Sequence, residues 1–272
     1  MNAWRSARLG FLALVFCAVA AAAQAQAPAT QEFTPSVGQS GKDVVWVPSP
    51  QALVDKMLDM AKVTPADFVM DLGSGDGRTV ITAAKRGVRA LGIEYNPDMV
   101  ALSRRNAAAA GVGDRATFVQ ADIFQTDLSQ ATVITLFLLT DLNLKLRPTL
   151  LSLKPGLRVV SNTFKMGEWE PDQFFELGCD TYCTAYLWIV PARVQGKWQL
   201  PQGELTLNQE FQKITGTLRN GAASVQISGG RLRGEEISFM AGGSEYRGRV
   251  SDRVMQGAFR TGGNTTPWSA RR

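Results

Sequence analysis

The sequence of 272 residues contains no histidine, and this absence excludes several kinds of catalytic site. Without imidazole there is no Ser-His-Asp triad, no histidine general base and no zinc centre with histidine ligands. Three cysteines are too few for a four-cysteine metal site, so we expect no bound metal. Hydrophobic residues make up 45% of the chain and charged residues 19%, which is typical of a globular protein rather than a disordered one.

The sequence also lacks an apolar run long enough to cross a membrane as a helix. The run at residues 9–23, which follows Arg5 and Arg8, is shorter than the roughly 20 residues that a spanning helix needs. Basic residues, a short apolar run and then Ala23-Gln24-Ala25 are typical of a cleaved signal peptide. We therefore predict a signal peptide at 1–25, no transmembrane segment after its removal, and export to the periplasm. An uncleaved N-terminal anchor is the alternative.

Composition divides the rest of the chain near Pro191. Residues 26–42 are rich in proline, glutamine, serine and glycine, which predicts a loose linker. Residues 26–190 contain 15 basic and 18 acidic residues, whereas residues 191–272 contain 12 basic and 6 acidic residues and 13 of the 26 glycines. We predict one domain over residues 43–190 and an antiparallel β domain over residues 191–272.

The first of these domains alternates predicted strands with predicted helices. Ser49 is expected to cap a helix that begins at Pro50. Beyond that helix, strands are predicted at 68–72, 89–95, 117–120, 132–139 and 158–161, with helices at 79–86, 97–110 and 142–153. This alternation predicts an α/β fold with a Rossmann-like, mostly parallel sheet and helices on both faces. Ligands of such sheets bind at the carboxyl ends of the strands.

A glycine-rich loop, Gly73-Ser74-Gly75-Asp76-Gly77, follows the first predicted strand, and acidic residues end three successive strands. These residues are Asp71, Glu94 and Asp122. Glycines let the backbone turn sharply and approach a ligand, and an acid after the second strand can accept hydrogen bonds from ribose hydroxyls. Carboxylates repel phosphates, so the set favours a cationic nucleoside without phosphates over a dinucleotide. S-adenosylmethionine is the cofactor that fits.

Six motifs between residues 44 and 170 together carry a resemblance to a known family. They are Val47-Pro48-Ser49-Pro50, Asp71-Leu72-Gly73-Ser74-Gly75-Asp76-Gly77-Arg78, Gly92-Ile93-Glu94-Tyr95-Asn96-Pro97, Ala121-Asp122, Leu136-Phe137-Leu138-Leu139, and Leu153-Lys154-Pro155-Gly156 leading into Val159-Val160-Ser161. With them the chain resembles the class I, seven-stranded S-adenosylmethionine-dependent methyltransferases. More narrowly, it is similar to the small protein-lysine methyltransferases of adenine nucleotide carriers and the ATP synthase c-subunit, with their bacterial relatives.

The resemblance implies an enzyme that methylates a protein lysine or a related nucleophile, so the acceptor would be a protein or a small molecule. It implies that Glu94 binds the ribose and that Asp122 binds the adenine amino group. We also expect the apolar Ile123 to pack against the adenine ring. The methionine end would lie on the loop residues Asp71, Gly73, Ser74, Gly75 and Gly77. Two residues depart from the family pattern. Phe137 stands where the family often has tyrosine, and Asn162 stands where a histidine often follows the serine.

Three polar residues just past the fourth predicted strand are candidates for orienting the acceptor. Methyl transfer mainly requires a neutral nucleophile aligned with the methyl carbon, and a lysine must first lose its proton. Thr140, Asp141 and Asn143 are placed to orient such an amine. The alternative is that they cap the following helix.

The second domain is predicted to be a β meander or small barrel. From Glu204 onward, alternating runs are separated by the glycine-containing pairs Asn220-Gly221, Gly229-Gly230, Gly242-Gly243 and Gly262-Gly263, which predict turns. Five arginines are expected to alternate outward, namely Arg231, Arg233, Arg247, Arg249 and Arg260. They form either a solvated basic face or a patch for an anionic envelope partner. Aromatic residues are not interleaved with them as a stacking platform requires, so we expect no nucleic acid partner.

A second class of function therefore stays open. The chain could be an exported, non-catalytic scaffold that keeps the methyltransferase fold and binds an envelope partner through its basic β domain. For the exported protein we also predict a disulfide between Cys179 and Cys183, the two cysteines that remain after signal removal. Two buried free thiols are the alternative.

Overall fold

The structure of the protein, a computed structural model, describes residues 32–201 and 203–272. The predicted signal peptide at 1–25 and the first part of the predicted linker lie outside the described residues. Within them, no helix combines the length and the apolar character that crossing a membrane requires.

The first part of the described chain forms one seven-stranded sheet with four helices, and it has the predicted Rossmann-like character. The helices and strands are α1 (Gln51–Met60), β1 (Phe68–Leu72), α2 (Arg78–Lys85), β2 (Arg89–Glu94), α3 (Pro97–Ala109), β3 (Ala116–Gln120), β4 (Val133–Leu136), α4 (Thr140–Ser152), β5 (Arg158–Asn162), β6 (Gln173–Glu176) and β7 (Thr184–Ile189). The strand order is β3-β2-β1-β4-β5-β7-β6. Neighbouring strands from β3 to β5 are parallel, whereas β7 is antiparallel to both β5 and β6.

Helices cover both faces of the sheet because its central strands are apolar on both sides. Val69 of β1 packs in one core with residues of α1, α2 and α3. Its neighbour Met70 packs in a second core, on the other face, with Leu146 and Leu150 of α4. Successive side chains of a strand point to opposite faces, so a continuous apolar strand requires helices on each side.

The structure corrects two details at element ends. Pro50, not Ser49, is the N-cap residue of α1, and the Ser49 hydroxyl instead accepts a hydrogen bond from the Asn162 amide at 3.0 Å. Strand β4 ends at Leu136 rather than at residue 139. Its pairing with β1 stops at the Leu72–Leu136 pair, because the chain after Leu72 turns away into the glycine loop.

Strands β6 and β7 are absent from the sequence-based prediction, although β7 pairs with both β5 and β6. The loop between them carries the disulfide, which joins Cys179 to Cys183 with a Cα–Cα distance of 5.7 Å and confirms the predicted pairing.

Eight antiparallel strands form a closed barrel, which resolves the choice between meander and barrel. They are β8 (Gly196–Leu200), β9 (Gly203–Glu210), β10 (Lys213–Asn220), β11 (Ala223–Arg233), β12 (Glu236–Ala241), β13 (Ser244–Ser251), β14 (Val254–Thr261) and β15 (Asn264–Arg271). The order around the barrel is β10-β11-β12-β13-β14-β15-β8-β9. The five arginines named above are exposed, as predicted, and alternate with buried residues such as Leu232 and Val250.

One predicted turn is wrong. Gly229-Gly230 lies inside β11, where the pairing registers with both β10 and β12 shift, so the glycines form a bulge. A Cβ on Gly230 would lie 2.3 Å from the Ile214 carbonyl oxygen, which explains the glycine. The chain turns further along, at Gly234 (φ 60°).

The barrel packs directly against the sheet domain, and residues 33–272 form one compact unit. Phe211, between β9 and β10, stacks on the buried Trp169 with ring centroids 6.2 Å apart. The side-chain amide of Gln212, also between β9 and β10, donates to the Glu170 carbonyl at 2.7 Å. Arg231 of the barrel also forms an ion pair with Asp172 at 2.7 Å. The boundary predicted near residue 190 is thus crossed by a packed interface.

We predict that Phe211→Ala lowers the free energy of unfolding by about 1–3 kcal/mol, because a half-buried ring leaves a cavity against Trp169. Phe211 has a φ of 52°, and alanine carries the same backbone strain, so the change isolates the ring. Urea denaturation measures the effect. Phe174→Ala, which removes a ring that is 66% exposed, is the control and should cost much less. Equal effects of the two changes would contradict this account of the interface.

Candidate active site

The loops after four neighbouring strands line one cleft. Asp122 follows β3, Glu94 ends β2, the glycine loop follows β1, and Phe137 follows β4. These strands are adjacent and parallel in the order β3-β2-β1-β4, so their carboxyl ends meet at one edge of the sheet. Of the predicted cofactor residues, the cleft is lined by Asp71, Gly73, Ser74, Gly75, Glu94, Asp122 and Ile123.

The glycine loop has the open backbone that the sequence predicts. Gly73, Gly75 and Gly77 all have positive φ, at 79°, 53° and 84°. A Cβ on Gly75 would lie 2.7 Å from the Trp46 indole nitrogen, so a larger residue does not fit there. The hydroxyl of Ser74 is buried without a hydrogen-bond partner among the described residues.

Glu94 fixes the loop as well as lining the cleft. One carboxylate oxygen accepts the Gly75 N–H at 3.0 Å, and the other accepts the Asn96 N–H at 2.9 Å. Each oxygen can accept a second hydrogen bond. The carboxylate can therefore hold both the loop and a ligand hydroxyl, a double role that the sequence does not reveal.

Asp71 is a buried carboxyl group in an electrostatically unfavourable position. The Thr135 hydroxyl donates to it at 2.6 Å. The pKa of Asp71 is raised to about 7, first by burial and then by the charges of Asp76 and Glu94, while the hydrogen bond from Thr135 opposes the rise. A cation bound in the cleft would stabilise the ionised form.

A segment that we call the strap, residues 36–49, forms part of the wall of the cleft. Its two arms are joined by hydrogen bonds between Gly38 N–H and the Trp46 carbonyl and between Trp46 N–H and the Gln39 carbonyl, both 2.9 Å. Residues 39–49 all line the cleft. The strap thus includes the last residues of the predicted linker, which here make specific contacts.

Lys42 of the strap binds the residue expected to contact adenine. Its ammonium group lies 2.7 Å from the Asp122 carboxylate and 4.8 Å from the centre of the Tyr95 ring. The ion pair raises the pKa of Lys42 and lowers that of Asp122. Sequence reasoning missed both Lys42 and Trp46. The apolar run around Trp46, adjoining the Val47-Pro48 motif, is the one signal that could have pointed to the strap.

The three catalytic candidates do not line the cleft. Thr140 and Asp141 are exposed in the first turn of α4, whose N-cap residue is Leu139 with no side-chain cap. Asn143 is buried, and its amide donates to the Phe164 carbonyl at 3.1 Å. It therefore supports the turn after β5. Gly77 also lies outside the lining, at the N-cap of α2. Catalytic roles for these three polar residues stay predictions.

These residues fit S-adenosylmethionine. The cleft offers carboxylates for its cationic and hydroxyl groups and an open glycine loop. Arg78, the loop cation that could attract a phosphate, is engaged by Asp76 at 2.6 Å. With a seven-stranded sheet of this order, the site defines an S-adenosylmethionine-dependent methyltransferase.

Comparisons with known proteins agree and narrow the class. The family described as "ANTKMT methyltransferase domain" matches residues 71–173. A protein-lysine N-methyltransferase of Saccharolobus islandicus is 42% identical over 151 residues, which cover 54% of this chain and 94% of that protein. The chain belongs to this protein-lysine N-methyltransferase family. The lysine N-methyltransferase of the ATP synthase c-subunit from Xenopus laevis is 34% identical over 140 residues, which are 51% of this chain but only 62% of that protein.

A solved structure supports the same fold and cofactor. The RNA methyltransferase from Salinibacter ruber, crystallised with S-adenosyl-L-homocysteine, is 49% identical and has a TM-score of 0.52. The match covers 54% of this chain and 96% of that chain. The resemblance, the enzyme class and the cofactor predicted from the sequence are thus confirmed, and the non-catalytic alternative is not favoured.

We predict that Glu94→Ala weakens S-adenosylhomocysteine binding about 10- to 100-fold, because two charged hydrogen bonds to the ribose are lost. Asp122→Ala should weaken binding less, since it removes one contact to adenine. Calorimetry measures both, with the exposed Asp114→Ala as control.

Glu94 also holds the backbone of Gly75, so the loss of affinity in Glu94→Ala could come from the loop rather than from the ribose contact. A second ligand distinguishes the two causes. The 2′,3′-dideoxy analogue lacks both hydroxyls, and wild type and Glu94→Ala should bind it with similar affinity. A loss as large for this analogue would show that Glu94 acts only through the loop.

We predict that Asp71 makes the ligand-free protein less stable as the pH rises. Its folded pKa of about 7 exceeds the ordinary value of 3.8, so its stabilising contribution is complete below pH 3.8 and is lost as the pH rises through 7. Asp71→Asn keeps an acceptor for Thr135 and removes this loss. Between pH 5 and pH 8 the wild type should lose a few kcal/mol (order of magnitude) of unfolding free energy relative to the variant. Parallel pH profiles in urea denaturation would refute the assignment.

Proposed function

We propose that the protein transfers the methyl group of S-adenosylmethionine to the side-chain amine of a protein lysine. The observation that carries the proposal is the cleft formed by Asp71, Glu94 and Asp122, in a chain that covers 94% of a relative named as a protein-lysine N-methyltransferase. Vertebrate relatives are named for the ATP synthase c-subunit, which makes that protein a reasonable first acceptor to test.

The cofactor would supply an activated sulfonium methyl group, and the residues of this chain would hold it. Asp71 and the glycine loop would bind the methionine end and Glu94 the ribose. Asp122 would bind the adenine amino group through a carboxylate oxygen that does not contact Lys42. At the β4 end the cleft is lined by apolar residues, namely Leu136, Phe137, Leu138 and Leu142. Burial among such side chains lowers the pKa of a lysine and favours the neutral amine that transfer requires.

We also propose that residues 1–25 direct export and that the acceptor lies in the cell envelope. The disulfide between Cys179 and Cys183 supports this proposal, because disulfides persist in oxidising compartments. The arginine face of the barrel has less free positive charge for an anionic partner than its composition suggests. Arg231, Arg247 and Arg249 already pair with carboxylates of this chain, so we favour the interpretation of a solvated face.

RNA is the competing acceptor, because the relative from Salinibacter ruber is described as an RNA methyltransferase. The acidic character of residues 26–190, with a net charge of −3, disfavours a polyanion in this cleft.

We expect methyl-lysine as the product. The purified protein would be incubated with methyl-tritiated S-adenosylmethionine and, in separate reactions, with the ATP synthase c-subunit, envelope protein extract or total RNA. Label in protein, and methyl-lysine in its mass-spectrometric digest, are the expected results. Glu94→Ala should reduce both and Asp114→Ala neither. Label confined to RNA, or no transfer by protein shown to bind the cofactor, would refute lysine methylation.

A further inference from the structure

We propose that Phe137, Phe164 and Tyr182 form an aromatic wall that binds the side chain of the acceptor lysine. We further propose that the disulfide between Cys179 and Cys183 holds the outermost ring in place. This inference rests on the proposed lysine methylation and assigns the acceptor subsite to particular residues.

The sheet topology brings the three rings to the edge that carries the cofactor cleft. Phe137 follows β4 and Phe164 follows β5, so both lie beyond carboxyl ends of parallel strands. Tyr182 precedes β7, which is antiparallel to β5, and the Asn162–Ala185 pair places the start of β7 beside the end of β5. The predicted cofactor residues end β1, β2 and β3 instead. The wall therefore lies on the β4 side of the cleft, next to the methionine end of the cofactor.

The three rings form a continuous surface from solvent to the cleft. The ring centroids of Phe137 and Tyr182 are 5.3 Å apart, those of Phe137 and Phe164 6.2 Å, and those of Phe164 and Tyr182 6.3 Å. Tyr182 is 39% exposed, whereas Phe137 lines the cleft itself. A side chain that enters along Tyr182 reaches the cofactor cleft at Phe137.

The chemistry of such a wall suits a lysine. Its four methylene groups can pack along the rings, and ring faces attract the ammonium group until it reaches the cleft and loses its proton. A nucleic acid base would instead need a slot between parallel rings. Here the near-parallel rings of Phe137 and Phe164, with planes at 27°, have centroids only 6.2 Å apart and leave no room for a base between them, and the planes of Phe137 and Tyr182 meet at 66°.

Phe164, an inner ring, and Tyr182, the outer ring, are positioned by different interactions. The turn that carries Phe164 is held by the buried Asn143, whose amide donates to the Phe164 carbonyl. This makes Asn143 a positioning residue for the wall. Tyr182 lies in the loop closed by the disulfide and has a left-handed backbone with a φ of 57°. Because the disulfide closes this short loop, it restricts the backbone that carries Tyr182.

The test is steady-state methylation of a lysine-containing acceptor protein by the wild type and its variants. Tyr182→Ala should raise the KM for the acceptor roughly 5- to 30-fold, as expected for a lost cation–π and packing contact. The KM for S-adenosylmethionine and kcat should change little. Tyr182→Phe keeps the ring and should behave like the wild type. Phe174→Ala, which removes a more exposed ring of the same sheet, is the matched control.

The disulfide is tested by the double variant Cys179→Ser, Cys183→Ser. It should raise the acceptor KM to a similar extent, and adding Tyr182→Ala should raise it no further, because both changes remove the same contact. Additive effects would overturn the role assigned to the disulfide.

The remaining outcomes separate this inference from the proposed function. An unchanged acceptor KM in Tyr182→Ala, with lysine methylation intact, overturns the wall alone. A wild-type protein that binds the cofactor but methylates no lysine overturns the proposed function and the wall with it. If RNA is methylated and its KM depends on Tyr182, the wall binds a base and the lysine subsite is refuted.

Discussion

The repulsion among three carboxylates at the ends of β1 and β2 is the constraint on which the rest of the site depends. Asp76 is neutralised by Arg78, Glu94 accepts two backbone N–H groups, and Asp71 is left with Thr135 and a raised pKa. The glycine loop is held in its open form by one of these acids, so its shape and its charge are coupled. A cationic ligand relieves the repulsion and a phosphate increases it. The same arrangement therefore selects the cofactor and maintains the loop.

The features that could be predicted from the sequence are those that local chemistry determines. Strand β1 and the glycine loop follow from a buried apolar run and from residues that only a tight turn requires, and the structure has both. The predicted cofactor residues come together because parallel strands align their carboxyl ends. Features that depend on distant partners were missed. The strap is defined by Lys42 reaching Asp122, 80 residues away, and β7 by antiparallel pairing with β5. The pair Gly229-Gly230 has the sequence of a turn, but it forms a bulge in β11. The close approach of Gly230 to the backbone of β10 requires this glycine, and that approach cannot be inferred from the pair itself.

The catalytic candidates illustrate the same limit within the site. Thr140, Asp141 and Asn143 follow β4 as predicted, but a helix begins at Thr140 and turns them away from the cleft lining. The one buried residue of the three, Asn143, supports the turn that carries Phe164. Position in the sequence thus identified the correct end of the sheet, whereas only the packing distinguishes a residue in the cleft from one behind it.

The barrel occupies the edge of the sheet opposite the cleft. Gly234 of the barrel approaches Gly156, just before β5, so closely that a Cβ on Gly234 would lie 3.0 Å from the Gly156 Cα. Ala192 N–H, after β7, also donates to the Gly234 carbonyl at 2.8 Å. Both contacts lie at the amino edge of the parallel strands, and a strand of five residues separates the two edges by roughly 17 Å. The barrel residues that make these two contacts therefore lie away from the carboxyl ends of β1 to β4, where the cleft is.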